Sequence, residues 1–267
     1  MFEDTLTRIK NDPALQTAVK NSIERQVFIP EGEKINALPP RYSEKAQVIV
    51  TKNRSFEAAA HYRGQKVAVL NFASATTPGG GVETGASAQE ECLCRVSTLY
   101  PCLKVKALWE QFYAPHRAAQ NALHNDDIVY TPDVVVIKDD DYHPLPSPFS
   151  VDVITCAAPN LRKMPTNGYN QDDGYEVRIG REALLDIHER RASRIMATAA
   201  RNGAEVLVLG AFGCGAFQND PNVVATAYQH LIPSFLNHFK TIEFAVYCSP
   251  KDQRNYEAFR SLQVKNH

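Results

Sequence analysis

The sequence predicts an α/β sandwich built on a largely parallel sheet. Two observations carry this. After residue 45, short β-branched runs alternate with helical patterns, the order that strand–helix–strand crossovers produce. Two of those runs end in glycine-rich loops that lead into helix starts: Lys66–Phe72 into Gly79-Gly80-Gly81, and Glu205–Gly210 into Gly213-Cys214-Gly215. In such sheets ligands bind beyond the carboxyl ends of the strands, so both loops can face one cleft.

Composition sets the outer limits. The 267 residues, 44% hydrophobic and 22% charged, fit one large domain or a domain with an extension. With 29 basic and 30 acidic residues the net charge is −1, which argues against a non-specific nucleic-acid or membrane-surface binder. No run of about 18 apolar residues appears. The start Met1-Phe2-Glu3-Asp4-Thr5 lacks the basic and apolar regions of a signal peptide. Cys92, Cys94, Cys102, Cys156, Cys214 and Cys248 form no C-x-x-C pair, and several sit in apolar strand patterns as small hydrophobes. They read as reduced thiols of a cytoplasmic protein, or a nuclear one if eukaryotic. The eight histidines include no H-E-x-x-H, so neither a metal site nor a cofactor is expected.

In chain order, residues 1–45 read as a polar helical extension packed on the core, and 46–267 as the main domain. Leu15, Val19, Ile23 and Val27 recur every fourth residue and predict a helix over 14–27, stopped by Pro30, Pro39 and Pro40. Residues 46–51 read as the first core strand, and Ser55–Tyr62 as a short helix capped by Ser55. Lys66–Phe72 is a buried strand and Ser87–Leu99 a helix. The stretch 104–125, with the single Trp109, is mixed and partly helical. Residues 133–138 are a buried strand. Asp139-Asp140-Asp141 reads as a solvated turn, because adjacent side chains in a turn do not converge on a cation. Val151–Cys156 is the next strand, followed by a polar loop to Gly180 of a length that is often functional. Arg181–Arg201 is a helix stopped by Asn202-Gly203. After the strand at 205–210, Asp220 as N-cap and Pro221 at the first position open a helix to His238. Residues 242–248 form the last strand and 255–262 the closing helix.

The chemistry gathers between Pro78 and Glu91. Three consecutive glycines can take φ > 0 and let a ligand approach the backbone. Glu90 has two readings. Ser87-Ala88-Gln89-Glu90 fits the capping box, and a first-turn acid suits the helix dipole in any case. Glu91 lies about 100° further round the helix, outside the box, and is the better candidate for chemistry. The second loop leads into a helix N-terminus, so its backbone N–H groups form a nest for an anion. Cys214 within it reads as a small residue that fits the turn. A thiol enzyme is the weaker reading, since no histidine partner is evident.

Gly79-Gly80-Gly81, a seven-residue spacer and Gln89-Glu90-Glu91 resemble the glycine-triplet and Gln-Glu-Glu signature of poly(ADP-ribose) glycohydrolases, which are built on the macrodomain. Gly210–Asn219 resembles the macrodomain loop that wraps the diphosphate of ADP-ribose, in a form close to the bacterial-type enzymes. Asn71-Phe72-Ala73-Ser74-Ala75 resembles the strand end that lines the distal ribose. The resemblance spans roughly residues 46 to 250.

This resemblance implies a macrodomain-like three-layer α/β/α sandwich with a mixed, largely parallel sheet. It implies hydrolysis of ribose–ribose O-glycosidic bonds in poly(ADP-ribose), mainly from the chain end, releasing ADP-ribose. The expected partners are poly(ADP-ribose) or ADP-ribose, with ADP-ribosylated proteins as substrates, and neither sequence-specific nucleic acid nor a membrane. Glu91 maps to the catalytic acid and Glu90 to a contact with ribose hydroxyls. Asn71, Ala73, Gly79, Gly80, Gly81, Val82, Gln89, Gly213, Cys214, Gly215, Ala216 and Phe217 map to the ligand-binding set. The motifs do not identify the residue that stacks on adenine. Two alternatives stand beside this reading: a non-catalytic ADP-ribose-binding macrodomain, which needs the glycine loops but not Gln-Glu-Glu, and a hydrolase of mono-ADP-ribose.

Overall fold

The computed structural model describes residues 1–36 and 38–263. Its first two helices, α1 (Phe2–Asn11) and α2 (Pro13–Glu24), meet at Asp12. The Asp12 carboxylate accepts from the N–H groups of Ala14 and Leu15, and Pro13 takes the first helical position. The helix expected to run to Val27 stops at Glu24, because the chain then enters β1 (Val27–Ile29) and pairs antiparallel with residues 128–130. Gln26 fixes that exit: its side-chain amide donates to Cys102 O and Thr131 Oγ1.

Six further strands complete the sheet: β2 (Gln47–Thr51), β3 (Val67–Ala73), β4 (Ile128–Lys138), β5 (Pro144–Ala157), β6 (Val206–Leu209) and β7 (Thr241–Ala245). The order is β1-β4-β5-β3-β6-β7-β2. The run from β5 to β2 is parallel, while β4 lies antiparallel to both β5 and β1. β5 begins seven residues before the expected Val151. Its first half carries Pro144, Pro146 and Pro148 and pairs with β4 alone, so the missing N–H groups break no ladder on the other side.

Strand periodicity divides the core into two layers. Ala68 and Leu70 of β3, with Ile154, Leu207 and Phe244, face α8 (Arg181–Arg201), α9 (Pro221–Phe235) and α10 (Arg254–Arg260). Val67 and Val69, with Val153 and Val208, face Phe2 of α1, α3 (Ser55–Ala60), α4 (Gln89–Val96) and α5 (Leu99–Leu103). This is the expected three-layer α/β/α sandwich. Further along the chain, α6 (Lys106–Leu108) runs through a π-helical turn, Trp109–Tyr113, into α7 (Ala114–Ala119).

Helix boundaries correct three local expectations. Ser55 does not cap α3: it is the first helical residue, and Arg54 precedes it with its N–H on the Glu57 carboxylate. The helix expected over 87–99 is two helices. α4 ends at Val96, because Ser97 is extended and bridges to Val136, and α5 starts afresh at Leu99. α9 opens at Asp220-Pro221 as expected, with Asp220 accepting from Asn222 N, but ends at Phe235. Asp139 holds a turn by accepting from the N–H groups of Asp141 and His143. Among the described residues no helix is long and apolar enough to cross a membrane.

Candidate active site

The glycine triplet follows β3 and lies against the first turn of α4. Gly79 and Gly80 take φ of +69° and +57°. A Cβ at Gly80 would run into the Glu91 carboxylate, and one at Gly79 into the Tyr100 ring. Glycine is needed here because an acid packs flat on the loop backbone. Gly81 N–H donates to Glu91 Oε1 at 2.9 Å. Glu91 Oε2 is buried without a partner, on a residue that lines the cleft. A buried carboxylate oxygen left unpaired is costly unless a ligand completes it.

Glu90 does not close a capping box. The N-cap of α4 is Ala88, which offers no side-chain bond, so Ser87 lies outside the helix. Glu90 turns instead to the end of β3. Its Oε1 accepts from Asn71 Nδ2 at 3.1 Å and its Oε2 from Ser74 N–H at 2.8 Å. With 2% of its surface exposed, the Glu90 carboxyl is pushed up to about 8, chiefly by burial, with the neighbouring Glu91 charge adding to it. Asn71 Nδ2 also donates to Thr155 Oγ1, while Asn71 Oδ1 has no partner.

Gln89 is turned to the strand. The β3–β6 ladder ends at Val69. Beyond it, Gln89 Nε2 donates to Leu70 O and Ser55 Oγ, and Gln89 Oε1 accepts from Phe72 N–H. The amide thus substitutes for a strand neighbour and ties α4 to β3.

The second loop is held from behind. Gly213 has φ of +76°, and a Cβ there would meet Ala158 and Asn219. Asn219 Nδ2 donates to Gly213 O at 3.0 Å and Pro159 O at 2.7 Å, while its Oδ1 pairs with His188 Nε2 at 2.9 Å. Burial lowers His188 to about 4, so the ring is neutral and donates from Nε2. Gly215, Ala216 and Phe217 line the cleft. Cys214 turns into a neighbouring groove beside Asp220 and Asn222, and burial pushes its thiol up. A thiol so held is a poor nucleophile, which removes the support for thiol chemistry.

The cleft, about 650 Å³, runs along the carboxyl ends of β5, β3, β6 and β7. Ala73, Gln89, Glu90, Glu91, Gly213, Gly215, Ala216 and Phe217 line it. Asn71, Gly79, Gly80, Gly81 and Val82 do not: they form the buried wall behind the two acids. The structure also brings in residues that no motif marked. Tyr169 and Asn170 come from the long loop, whose length alone pointed to function. Tyr247 follows β7, with the Arg54 guanidinium 4.6 Å above its ring. Asp140, read from the sequence as part of a solvated turn, instead borders the cleft: Arg54 Nη1 donates to its carbonyl at 2.7 Å and burial raises its carboxyl to about 6. No group of His, Cys, Asp or Glu among the described residues is gathered to hold a metal ion.

Comparison with known proteins gives a consistent result. The family model of the microbial-type PARG catalytic domain matches residues 5–139. No curated protein sequence matches the chain. Among solved structures, the chain is similar to poly(ADP-ribose) glycohydrolase (PARG) from Thermomonospora curvata, at 29% identity over 98% of this chain and 97% of that one, with a TM-score of 0.84. The same protein bound to the inhibitor ADP-HPD aligns at 30% identity over 98% and 97%, with a TM-score of 0.81. The enzyme from Deinococcus radiodurans in complex with ADP-ribose aligns at 33% identity over 92% of this chain and 98% of that one, with a TM-score of 0.78.

Proposed function

The chain belongs to the microbial-type poly(ADP-ribose) glycohydrolases, and from that premise we propose that Glu91 is the acid–base of its hydrolysis of poly(ADP-ribose). The observation that carries the assignment is the buried, unpartnered Glu91 Oε2 in the cleft, on a carboxylate fixed through its other oxygen by Gly81 N–H. Cleaving a ribose–ribose bond passes through an oxocarbenium-like state and requires a proton on the leaving oxygen. Glu91 gives that proton to the leaving 2′-oxygen as the C1″–O bond breaks. Its carboxylate then takes a proton from the water that adds to C1″. Glu90 and Glu91 are successive residues of one helical turn, not a pair facing each other across a sugar, which supports a single acid–base.

Glu90 positions the terminal ribose. Asn71 and Ser74 N–H hold both its oxygens, and its raised pKa keeps a proton in the site near neutral pH. The diphosphate lies on the backbone of 213–217. Cleavage proceeds mainly from the chain end, each cut releasing one ADP-ribose unit. Residues 1–45 act as an extension seated on a macrodomain-like domain of residues 46–267. Asp4 and Thr5 of α1 support this by bonding Lys138 Nζ, and β1 supports it by completing the sheet edge. Six unpaired cysteines support a cytoplasmic site of action.

The test is a time course with defined polymer, read by chromatography. ADP-ribose should appear from the first points, with protein-linked single units left behind. Glu91→Gln should cut the rate by about 10²–10⁴-fold, with ADP-ribose affinity by calorimetry unchanged. Wild-type turnover in that variant would remove Glu91 from the chemistry. Early oligomers of intermediate length would overturn cleavage from the end, and removal of the protein-linked unit at a similar rate would favour a mono-ADP-ribosyl hydrolase.

A further inference from the structure

Polymer hydrolysis needs two nucleoside units near Glu91: the one whose ribose is attacked and the one that leaves. With the diphosphate on 213–217 as proposed above, the attacked unit would run along the strand ends, from the acids over the loop after β6 toward Tyr247 after β7. The ring at the opposite end, Tyr169, is not on that path. We propose that Tyr169 is a stacking platform for the adenine on the leaving side of the scissile bond, the base of the nucleoside whose 2′-oxygen Glu91 protonates. This rests on the Glu91 assignment above.

Three observations support the inference. The first is position. The Tyr169 ring packs on Gly81, where an added Cβ would lie 2.5 Å from its Cδ1, and Gly81 N–H is the group that holds Glu91 Oε1. The ring is therefore two contacts from the acid, and the leaving ribose must touch that acid. Its base then falls within one nucleoside's length of Tyr169.

The second is exposure. Tyr169 lines the cleft with 49% of its surface open, whereas Phe217 is partly buried against the core. An aromatic face at a cleft rim suits a base, because every base offers a π-face.

The third is rigidity of the support. Asn167 Oδ1 accepts from Tyr169 N–H at 2.9 Å and from Asn170 N–H at 3.2 Å. Asn170 Oδ1 accepts from Ser74 Oγ at 2.8 Å, next to the N–H that holds Glu90. Further along, Asp173 takes Asn160 Nδ2 on one oxygen and His124 Nε2 on the other. His124 Nδ1 faces Ala158 O at 2.7 Å, so both ring nitrogens meet acceptors and the loop is pinned to the end of β5. An open ring on a pinned backbone is pre-organised for a flat ligand.

The experiment uses a two-unit ADP-ribose dimer, which has one scissile bond, and free ADP-ribose. Tyr169→Ala should raise KM for the dimer about tenfold, leave kcat within about twofold and leave ADP-ribose affinity within about twofold. Tyr169→Trp should restore KM. In the Glu91→Gln background Tyr169→Ala should weaken dimer binding by the same factor in calorimetry, while the KM comparison with Glu91 intact reads the inference even if Glu91 proves not to be the acid. An unchanged dimer affinity overturns the proposal. An equal loss toward free ADP-ribose also overturns it, by placing the ring in the donor site.

Discussion

Glu90→Gln offers a sharp physical test of the site, because its effect must change with pH. The Glu90 carboxyl sits at about 8 in the folded protein against an ordinary 4.5. Between those values the folded chain holds a proton that the unfolded chain has released. Stability therefore falls as pH rises through that window, is unaffected by this group below 4.5, and is flat again above about 8. At about 1.4 kcal/mol per pH unit, the full loss is on the order of 5 kcal/mol. Glutamine is neutral throughout and has no such dependence. It also fits: its oxygen can accept from Ser74 N–H, and its amide can donate to the unpartnered Asn71 Oδ1 once that amide turns over. The melting temperature of Glu90→Gln should match wild type near pH 4.5 and exceed it increasingly up to pH 8.5. For a chain of this size the gap should reach about 10 °C. Scanning calorimetry across that range checks it. A gap that stays constant with pH would show that Glu90 is already ionised in the folded protein and that burial does not govern its proton.

Gly215→Val should fold normally, since a Cβ there meets nothing within 4 Å, yet its branches enter the cleft where phosphate must approach. ADP-ribose affinity should fall at least about tenfold with little change in melting temperature, and an unchanged affinity by calorimetry would move the diphosphate elsewhere. Ser87→Ala should alter stability by less than about 0.5 kcal/mol in denaturant unfolding, because Ser87 lies before the N-cap of α4. A loss above about 1 kcal/mol would restore the cap.

How much of this was legible in the sequence depended on whether the deciding contacts were local. The α8 limits, Arg181–Arg201, follow from a long pattern ended by Asn202-Gly203, and Asp220-Pro221 marks the α9 start in the same way. β1 is three residues long and exists because β4 lies beside it, a partner about a hundred residues away. The capping box failed for the same reason. Ser87-x-x-Glu90 satisfies the local rule, but Glu90 finds Asn71 and Ser74, nineteen and sixteen residues back, and these hold it in place of Ser87 N–H. Arg54, Asp140, Tyr169 and Tyr247 come to the cleft from four separate segments and share no motif.

The part of the site that was legible has a geometric cause. Successive residues of a helix point about 100° apart, so one turn can address three surroundings. Gln89 supplies β3 with the hydrogen bonds it lacks past Val69. Glu90 closes on the end of that strand. Glu91 meets the glycine loop and leaves one oxygen to the cleft. The three residues must be contiguous because their three partners meet at one corner, where β3 ends, the loop turns back and α4 begins. The spacing to the glycines is fixed by the same corner, since Gly80 must lie under Glu91 with no Cβ between them. A motif of this kind survives in sequence because helix rotation and loop clearance constrain it together. The rim residues are constrained only by the space they border, which is why tertiary structure was needed to find them.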